Sequence, residues 1–254
     1  MSTRPGAWIE DLAWPEVGER MEAGAPVLVP IGARSKEHGH HLPMKTDYLL
    51  ARALCDGVLD RLPVLAAPVI DFGYYPAFLH YPGSQHLRPE TFMALLQDVL
   101  DGLIRQKAKS IFIVNTGVST EGPVTVVVRE TYERTGFRVP VAHIRGLAAA
   151  RRGEMQQKLG GHADEHETSI VLAIEPDSVH LDRAVPDYGN ELSLPKTVFY
   201  VPSVFRDDAS AGPDYSARGA RGDPTLATVE KGRAALATMV DELAQGITRL
   251  ERRE

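Results

Sequence analysis

Short continuous apolar runs alternate along this chain with longer segments in which apolar residues recur at helical spacing. Four of the runs are typical of strands buried on both faces of a parallel sheet, and they lie at 25–33, 64–70, 110–117 and 140–146. The helical spacing predicts three clear helices, at 46–62, 89–108 and 227–253. A Val-rich segment at 124–136 is ambiguous by itself, but its position between two strands favours a fourth helix. A further apolar run at 166–176 is left unassigned.

This alternation of strands and helices predicts an α/β fold with a mostly parallel sheet covered by helices on both faces. No internal repeat and no low-complexity linker interrupts it, so we expect one domain over residues 1–254. In such sheets, ligands bind beyond the carboxyl ends of the strands. Polar segments follow strand ends at 35–47 and 115–123, and a third polar segment lies at 160–169. We therefore expect three segments that are distant in sequence to converge on one pocket.

Composition narrows the class of protein. The chain has 254 residues, 43% of them apolar, and a formal net charge of −6, which is ordinary for a globular protein with a large core. Basic residues cluster only as isolated pairs, so no nucleic-acid partner is expected, and no run approaches the ~20 apolar residues that span a bilayer. The single cysteine, Cys55, excludes an internal disulfide and fits a reducing cytoplasm. Together with a start that lacks a secretory signal pattern, this predicts a cytoplasmic protein that acts on a small molecule.

The segment "SKEHGHHLPMKTD" at 35–47 has the chemistry of a metal site. Its potential ligands are three imidazoles and two carboxylates, on His38, His40, His41, Glu37 and Asp47. Zinc, manganese and iron accept such mixed nitrogen and oxygen sets. The alternative is a solvated loop whose histidines make ordinary hydrogen bonds. Five potential ligands at a strand end favour the metal site, although Lys36 is an unexpected neighbour for a cation.

A second candidate segment, "GGHADEHETS", lies at 160–169. It brings together imidazoles and carboxylates, on His162, Asp164, Glu165, His166 and Glu167. An exposed acidic loop is the alternative interpretation. The late segment "GDPTLATVEKG" at 222–232 is interpreted as a turn followed by a capped helix start, with a structural role.

Two other segments are candidates for substrate binding. In "NTGVSTEGP", Asn115 and Ser119 could hold a substrate and Glu121 could reach a metal, although a plain polar turn accounts for this segment equally well. The long aromatic loop at 71–90 is typical of a pocket wall or lid, and it carries Tyr81 and His86. Packing against a neighbouring subunit is the other interpretation of this loop.

Taken together, these motifs resemble the creatininase (creatinine amidohydrolase) family. "GARSKEHGHHLPMKTD" is similar to the family's "G-S-x-E-Q-H-G-P-H-L-P-L-x-T-D", "HADEHETS" to "H-A-G-E-x-E-T-S", and "GDPTLATVEKG" to "G-D-P-x-x-A-T-x-E-K-G". "YPGSQHL" resembles the family's "F-P-G-T" loop. The resemblance implies a three-layer α/β/α domain in a homo-oligomer, often a hexamer. It also implies metal-dependent hydrolysis of small amides, often cyclic ones, with no organic cofactor.

The resemblance assigns roles to individual residues. His38 falls on a metal-ligand histidine, and Asp47 on the aspartate that bridges two metals in many members. His162 falls on a histidine proposed to shuttle protons, and Glu167 on the acidic residue of the "ETS" motif. A first metal-ligand glutamate of the family is replaced here by Lys36. The family's "N-G-H-G-G-N" or "N-G-H-Y-E-N" is similar to "NTGVST", so another ligand, a histidine, is replaced by Gly117.

These departures predict a site with one divalent metal per chain, zinc, manganese or iron, in which the Lys36 ammonium occupies the place of the second. The ligands would be His38 and Asp47, completed by Glu167, Glu37 or Glu121. Lys36 and His162 are the expected catalytic groups, with Glu165 as a further candidate. Side chains expected to bind substrate are His41, Tyr81, His86, Asn115 and Ser119. A metal-free degenerate site is the competing reading.

The predicted activity is hydrolysis of a small polar, cyclic substrate, with an amide C–N bond favoured. Creatinine itself is doubtful, since the only tryptophans are Trp8 and Trp14 and the region before the second segment has none. The alternatives are C–C hydrolysis of a cyclic polyol diketone, related to inositol, and a binding or assembly protein without catalysis.

Overall fold

A five-stranded parallel sheet forms the centre of the protein. The computed structural model describes residues 4–189, 198–199, 201–202 and 204–252. The strands are β1 (Ala7–Trp8), β2 (Val27–Ile31), β3 (Leu65–Ala66), β4 (Ile111–Asn115) and β5 (Val141–His143), in the order β1-β3-β2-β4-β5. All four neighbouring pairs are parallel. The two five-residue strands, β2 and β4, lie side by side in the middle and end together, with Ile31 paired to Asn115.

Helices cover both faces of this sheet. They are α1 (Trp14–Glu22), α2 (Thr46–Leu59), α3 (Pro89–Arg105), α4 (Glu121–Thr135), α5 (Ala149–Arg152), α6 (Glu165–Ile174) and α7 (Val229–Glu251). Pro89 begins α3, where its missing N–H costs nothing. Gly136 ends α4 in a left-handed conformation with φ 73°.

Two apolar cores lie on opposite faces of the sheet. Alternate residues of β2 point to opposite sides, so that Leu28 packs with α2 and α7 while Val29 packs with α3 and α4. The first core contains Leu54 and Met239, and the second contains Leu96, all of them fully buried. The arrangement is a three-layer α/β/α fold with a parallel sheet, as the sequence predicts.

Some predicted boundaries differ from the structure. The run at 64–70 forms a strand only at Leu65–Ala66, because Pro68 has no N–H to donate to a sheet ladder. The ambiguous segment at 124–136 is part of helix α4, and the unassigned run at 166–176 is most of helix α6. The prediction of a single domain over residues 1–254 extends beyond the described ranges and stays a prediction. Within those ranges, no helix is both long and apolar enough to cross a membrane.

Candidate active site

The loop that follows β2 places its polar side chains at the carboxyl edge of the sheet. Helix α2 begins at Thr46, and its first turn lies directly against the end of β2, because a Cβ at Gly32 would meet the carbonyl oxygen of Asp47 at 2.4 Å. The Thr116 hydroxyl lies 3.0 Å from the carbonyl oxygen of Ile31 and 2.9 Å from that of Asp47. These contacts fix Asp47 at the carboxyl edge of the two central strands.

Lys36, Asp47 and His38 form a buried charged group. The Lys36 Nζ lies 2.6 Å from Asp47 Oδ2, and His38 Nε2 lies 3.0 Å from Asp47 Oδ1. Burial alone would raise the pKa of Asp47, but Lys36 and His38 outweigh it and hold the pKa well below its usual range. Asp47 is therefore a carboxylate at neutral pH. The solvated-loop alternative does not hold for these three side chains, since each is at most 6% exposed.

The hydrogen bonds of His38 leave one ring nitrogen available for a cation. His38 Nδ1 lies 2.9 Å from the carbonyl oxygen of Lys36, which can only accept, so Nδ1 carries a proton. In the neutral ring, Nε2 then has a lone pair that faces the Asp47 carboxylate at 3.0 Å. Two acceptors at this distance need a proton or a metal ion beside them. Neutral imidazole nitrogen and carboxylate oxygen are both good ligands for zinc and manganese.

His162 is oriented in a similar way by a carboxylate. Its Nε2 lies 3.0 Å from Glu37 Oε2, and Glu37 also accepts a hydrogen bond from the backbone N–H of Gly39. Glu37 thus fixes the proton on Nε2 and leaves the Nδ1 lone pair of His162 facing Glu167, whose Oε2 is 3.9 Å away. A histidine held by a carboxylate on its far nitrogen is the usual arrangement of a metal-ligating imidazole.

A metal ion fits the group formed by His38, His162 and Glu167. One potential ligand atom from each of these three residues lies within 4.8 Å of the other two. Burial alone would raise the pKa of Glu167, but His162, His38 and Lys36 lower it, so this carboxylate is also ionised. The donor set, two imidazoles and one carboxylate, is typical of catalytic zinc sites with an open position.

Aromatic side chains pack against this group, and a very small cavity lies beside it. Phe78 and Phe205 both pack against the His162 ring, with centroid distances of 4.2 and 5.6 Å, and against each other, with a centroid distance of 5.1 Å. The cavity beside Lys36 and Asp47 has a volume of about 10 Å³, which is the room that one water molecule needs. Ser119 also lines this cavity. In this conformation the cavity has no room for a molecule larger than water.

Two predicted site residues have other surroundings in the structure. Glu165 is predicted as a catalytic candidate, but its fully buried carboxylate is ion-paired with Lys231 and accepts two backbone N–H groups, so it has no free oxygen for catalysis. Asn115 is predicted to bind substrate, but its amide is saturated within its own turn and by His143. Its Nδ2 donates to the carbonyl oxygen of Gly117 and to His143 Nδ1, and its Oδ1 accepts from Gly117 N.

The remaining predicted residues border the site at different depths. Ser119 lines the small cavity, and buried His41 lies with Nε2 2.9 Å from the Thr168 hydroxyl. The Tyr81 hydroxyl donates a hydrogen bond to the carbonyl oxygen of Ser216, 2.8 Å away, and so links the aromatic loop at 71–90 to the segment around Ser216. His86 stacks on Tyr74 in the same loop.

Glu121, an alternative metal ligand, lies instead at the start of α4, with Oε1 3.8 Å from Arg145 Nε. Phe205 is a residue that the sequence did not indicate, because nothing in its local pattern distinguishes it from an ordinary loop phenylalanine. Lys231 belongs to the late motif at 222–232, where the sequence indicated only a capped helix start.

The comparison with protein families decides where this chain belongs. The family model of creatininase, described as creatinine amidohydrolase, matches residues 10–247. The chain belongs to the creatininase family. Three relatives illustrate the range of activities among similar proteins. Creatinine amidohydrolase of Pseudomonas putida is 30% identical over 260 residues, which cover 94% of this chain and 95% of the relative.

The two other relatives act on different substrates. Mycofactocin precursor peptide peptidase of Mycolicibacterium smegmatis is 27% identical over 230 residues, 88% of this chain and 84% of the relative. The 3-dehydro-scyllo-inosose hydrolase of Thermotoga maritima is 23% identical over 263 residues, 96% of this chain and 83% of the relative. Membership of the creatininase family therefore leaves the substrate open.

Solved creatininase structures share the fold. A crystal structure of creatinine amidohydrolase matches with a TM-score of 0.78 and 27% identity, and the match covers 98% of each chain. A manganese creatininase matches with a TM-score of 0.77 and 28% identity, over 95% of this chain and 97% of the other. A Zn–Zn form of a creatininase mutant matches with a TM-score of 0.78 and 27% identity, over 98% of each chain. Of these solved creatininases, one is a manganese form and another a zinc form.

Proposed function

We propose that this protein hydrolyses a small polar substrate with the help of one divalent metal ion per chain. The observation that carries the proposal is the meeting of His38, His162 and Glu167 beside the buried Lys36–Asp47 ion pair. Both imidazoles have their far nitrogens held by protein acceptors, so their remaining lone pairs are available to a cation. The manganese and zinc forms of similar creatininases support zinc or manganese, and iron suits the same ligands.

The protein side chains divide the work at this site. His38, His162 and Glu167 would hold the ion, with Asp47 Oδ1 close enough to His38 Nε2 to join them. A divalent ion at this position supplies a Lewis acid that activates water and polarises a carbonyl group. This differs from the role expected for His162 from the resemblance, since a ring nitrogen that ligates a metal cannot also carry a proton. Glu37 orients His162 and is not needed as a ligand.

Lys36 would place a positive charge next to the metal. In two-metal members of the family, the resemblance puts a glutamate and a second ion here, with a combined charge of +2 −1. The ammonium keeps the same sum of +1 and is fixed against Asp47 at 2.6 Å. It also borders the small cavity, so it is suitably placed to stabilise negative charge that develops on a substrate carbonyl oxygen.

Cleavage of an amide C–N bond is the favoured reaction. The creatinine amidohydrolase and the peptide peptidase among the relatives both act on C–N bonds, and the enclosed site supports a small substrate. C–C hydrolysis of a cyclic polyol diketone is the second candidate. It is favoured by the lysine at the centre of the site and by similarity to the 3-dehydro-scyllo-inosose hydrolase.

The decisive experiment is metal analysis by plasma mass spectrometry on protein purified without a metal-affinity tag. We expect about one equivalent of zinc, manganese or iron per chain, lost in His38→Ala and in His162→Ala. His80→Ala is the matched control, because His80 is exposed and lies outside the cluster. Absence of metal, even after incubation with excess zinc or manganese, would contradict the proposal and favour a binding protein or a metal-free lysine mechanism.

The class of bond is tested next, with the metal-loaded protein. Lactams and cyclic diketones are screened as substrates, and hydrolysis should stop with a chelator and return with metal.

We also expect a cytoplasmic homo-oligomer, a hexamer by resemblance. Light scattering on the eluate of a sizing column measures this assembly state.

A further inference from the structure

Lys231, at the start of helix α7, holds the buried carboxylate of Glu165. Its Nζ lies 2.5 Å from Glu165 Oε1, 2.8 Å from the carbonyl oxygen of Leu226 and 3.2 Å from Gln156 Oε1. An ammonium group has three N–H donors, so these three acceptors use all of them. Glu165 is completely buried. Lys231 is thus committed to this contact and has no donor left for a substrate.

The other carboxylate oxygen of Glu165 holds the loop that precedes α6. Glu165 Oε2 accepts the backbone N–H groups of Gln156 at 2.8 Å and Gln157 at 2.7 Å. The Gln157 side chain continues the closure, since its Oε1 accepts from Glu165 N and from Asp223 N. Its Nε2 donates to Asp164 Oδ2. The loop at 156–165 therefore depends on the position of one carboxylate.

Helices α6 and α7 meet at their first turns. A Cβ at Gly232 would lie 1.8 Å from the carbonyl oxygen of Ser169, so only glycine permits this approach. The Ser169 hydroxyl accepts from Thr228 N at 3.1 Å and donates to the Glu165 carbonyl oxygen at 2.6 Å. The late motif at 222–232 thus packs against α6 at two points, with Gly232 and Thr228 against Ser169 and with Lys231 against Glu165.

Two of the three proposed metal ligands depend on the chain that Lys231 holds. Glu167 lies in the first turn of α6, where Asp164 Oδ1 accepts its backbone N–H at 2.9 Å. The Glu167 carboxylate in turn accepts the backbone N–H of Ala163 at 2.6 Å, next to His162. His38 belongs to a different segment. A shift of the first turn of α6 would therefore move two ligands relative to the third.

We propose that Lys231 is a positioning residue for the metal site, acting through Glu165. This inference rests on the proposed function, because it assigns His162 and Glu167 as ligands. The ion pair fixes the first turn of α6 and the loop before it, and so sets the distance from His162 and Glu167 to His38. Positioning partners of metal ligands typically contribute a factor of about 10 to 100 in metal affinity.

The test is a competition titration of Zn²⁺ with the full chain, wild type against Lys231→Met. We expect the dissociation constant for Zn²⁺ to rise about 10- to 100-fold in Lys231→Met and in Glu165→Gln. Lys231→Arg keeps the charge and should recover most of the lost affinity. Lys45→Met is the matched control: Lys45 forms a 2.6 Å ion pair with Glu175 at the other end of α6, but there both side chains are more than a third exposed.

The outcomes separate positioning from simple stabilisation. A Lys231→Met protein that melts at a lower temperature but, when folded, binds Zn²⁺ like the wild type overturns the inference. If the wild type binds no metal, the proposed function fails, and amide hydrogen exchange then tests the positioning by itself. Faster exchange at Gln156, Gln157 and Glu167 in Lys231→Met, but not in Lys45→Met, supports it, and unchanged exchange overturns it.

Discussion

Two lysine–carboxylate pairs in this protein, each with a buried carboxylate, have the same chemistry and different surroundings. Lys231 and Glu165 are saturated by further protein groups, whereas Lys36 contacts Asp47 and, with its remaining donors, borders a cavity large enough for one water molecule. The Phe78 ring lies 5.0 Å from the Lys36 ammonium, a cation–π contact that does not use the donors left over from the contact with Asp47. A cation whose donors are all used by protein acceptors holds structure together. One with donors facing a cavity is available to a ligand.

The proposed role of Lys36 is tested most directly by restoring the second metal position. We predict that Lys36→Glu combined with Gly117→His raises the metal content by about one equivalent per chain, since a carboxylate and an imidazole are strong ligands. A Cβ at Gly117 would lie 2.7 Å from the Thr120 hydroxyl, which can rotate away. Plasma mass spectrometry measures the change.

The matched control for this variant is Lys36→Gln with Gly117→His. It removes the same charge but supplies no carboxylate, so it should keep the wild-type metal content. If the Lys36→Glu combination also keeps it, the view that Lys36 stands in the place of a metal ion is wrong.

The two pairs should also differ in how much each contributes to the free energy of unfolding. Lys231→Met leaves the Glu165 carboxylate buried without its cation, and we expect it to lower the free energy of unfolding by about 3–5 kcal/mol. Lys36→Met should cost less, because the cavity beside Asp47 has room for a water molecule that can donate to the carboxylate. Lys45→Met removes an exposed pair and should cost about 0–1 kcal/mol. Urea unfolding followed by circular dichroism gives the three values, and equal losses for Lys36 and Lys231 would remove the distinction.

The effects of these substitutions on kcat should follow the opposite order, with the larger loss at Lys36. On a substrate identified by the screen, Lys36→Met should lower kcat by about 10²- to 10³-fold with the metal content unchanged, which is the usual effect of removing one donor to a developing negative charge. A wild-type kcat in Lys36→Met would exclude a role for the ammonium in the reaction. Metal analysis of the same sample excludes loss of the ion as the cause.

How far the sequence predicted these features depends on how local they are. The apolar runs predicted β2, β4 and their helices, because buried parallel strands have continuous apolar character. The two-residue strand β1 and helix α1 were not predicted, since so short a strand has no periodicity. Likewise, the motif at 35–47 contains both Lys36 and Asp47, so the sequence alone could predict that they lie close together.

Contacts between distant segments were not predictable in the same way. Glu165 has the sequence context of a catalytic carboxylate, and only its contact with Lys231, 66 residues away, gives it a structural role. The orientation of the His162 ring similarly depends on Glu37, 125 residues earlier in the chain. Residue type and spacing therefore indicate which side chains gather at a site, but the partner of each ring nitrogen and oxygen decides what each one does there.

The contact of the 35–47 loop with α6 through His41 and Thr168 is uncharged, and it gives the smallest predicted effect. His41 lies against Thr168, and burial, with a smaller contribution from His38, lowers its pKa from 6.5 to about 4. Above pH 6.5, His41 is neutral in the folded and the unfolded chain and contributes no pH dependence. As the pH falls below 6.5, the unfolded chain gains a proton that the folded protein does not accept, so the free energy of unfolding decreases until about pH 4.

The expected loss from His41 alone is about 2 kcal/mol between pH 7 and pH 5. Asp47 and Glu167 contribute mainly below this window, because carboxylates in the unfolded chain titrate near pH 4. We predict that His41→Gln, whose amide can still hydrogen-bond to Thr168, unfolds with a pH dependence that is smaller by this amount. Urea midpoints at pH 5, 6 and 7 measure the slope for both proteins. Parallel slopes would mean that His41 takes up its proton in the folded state, and that the contact between the loop and α6 tolerates a charge as the two lysine pairs do.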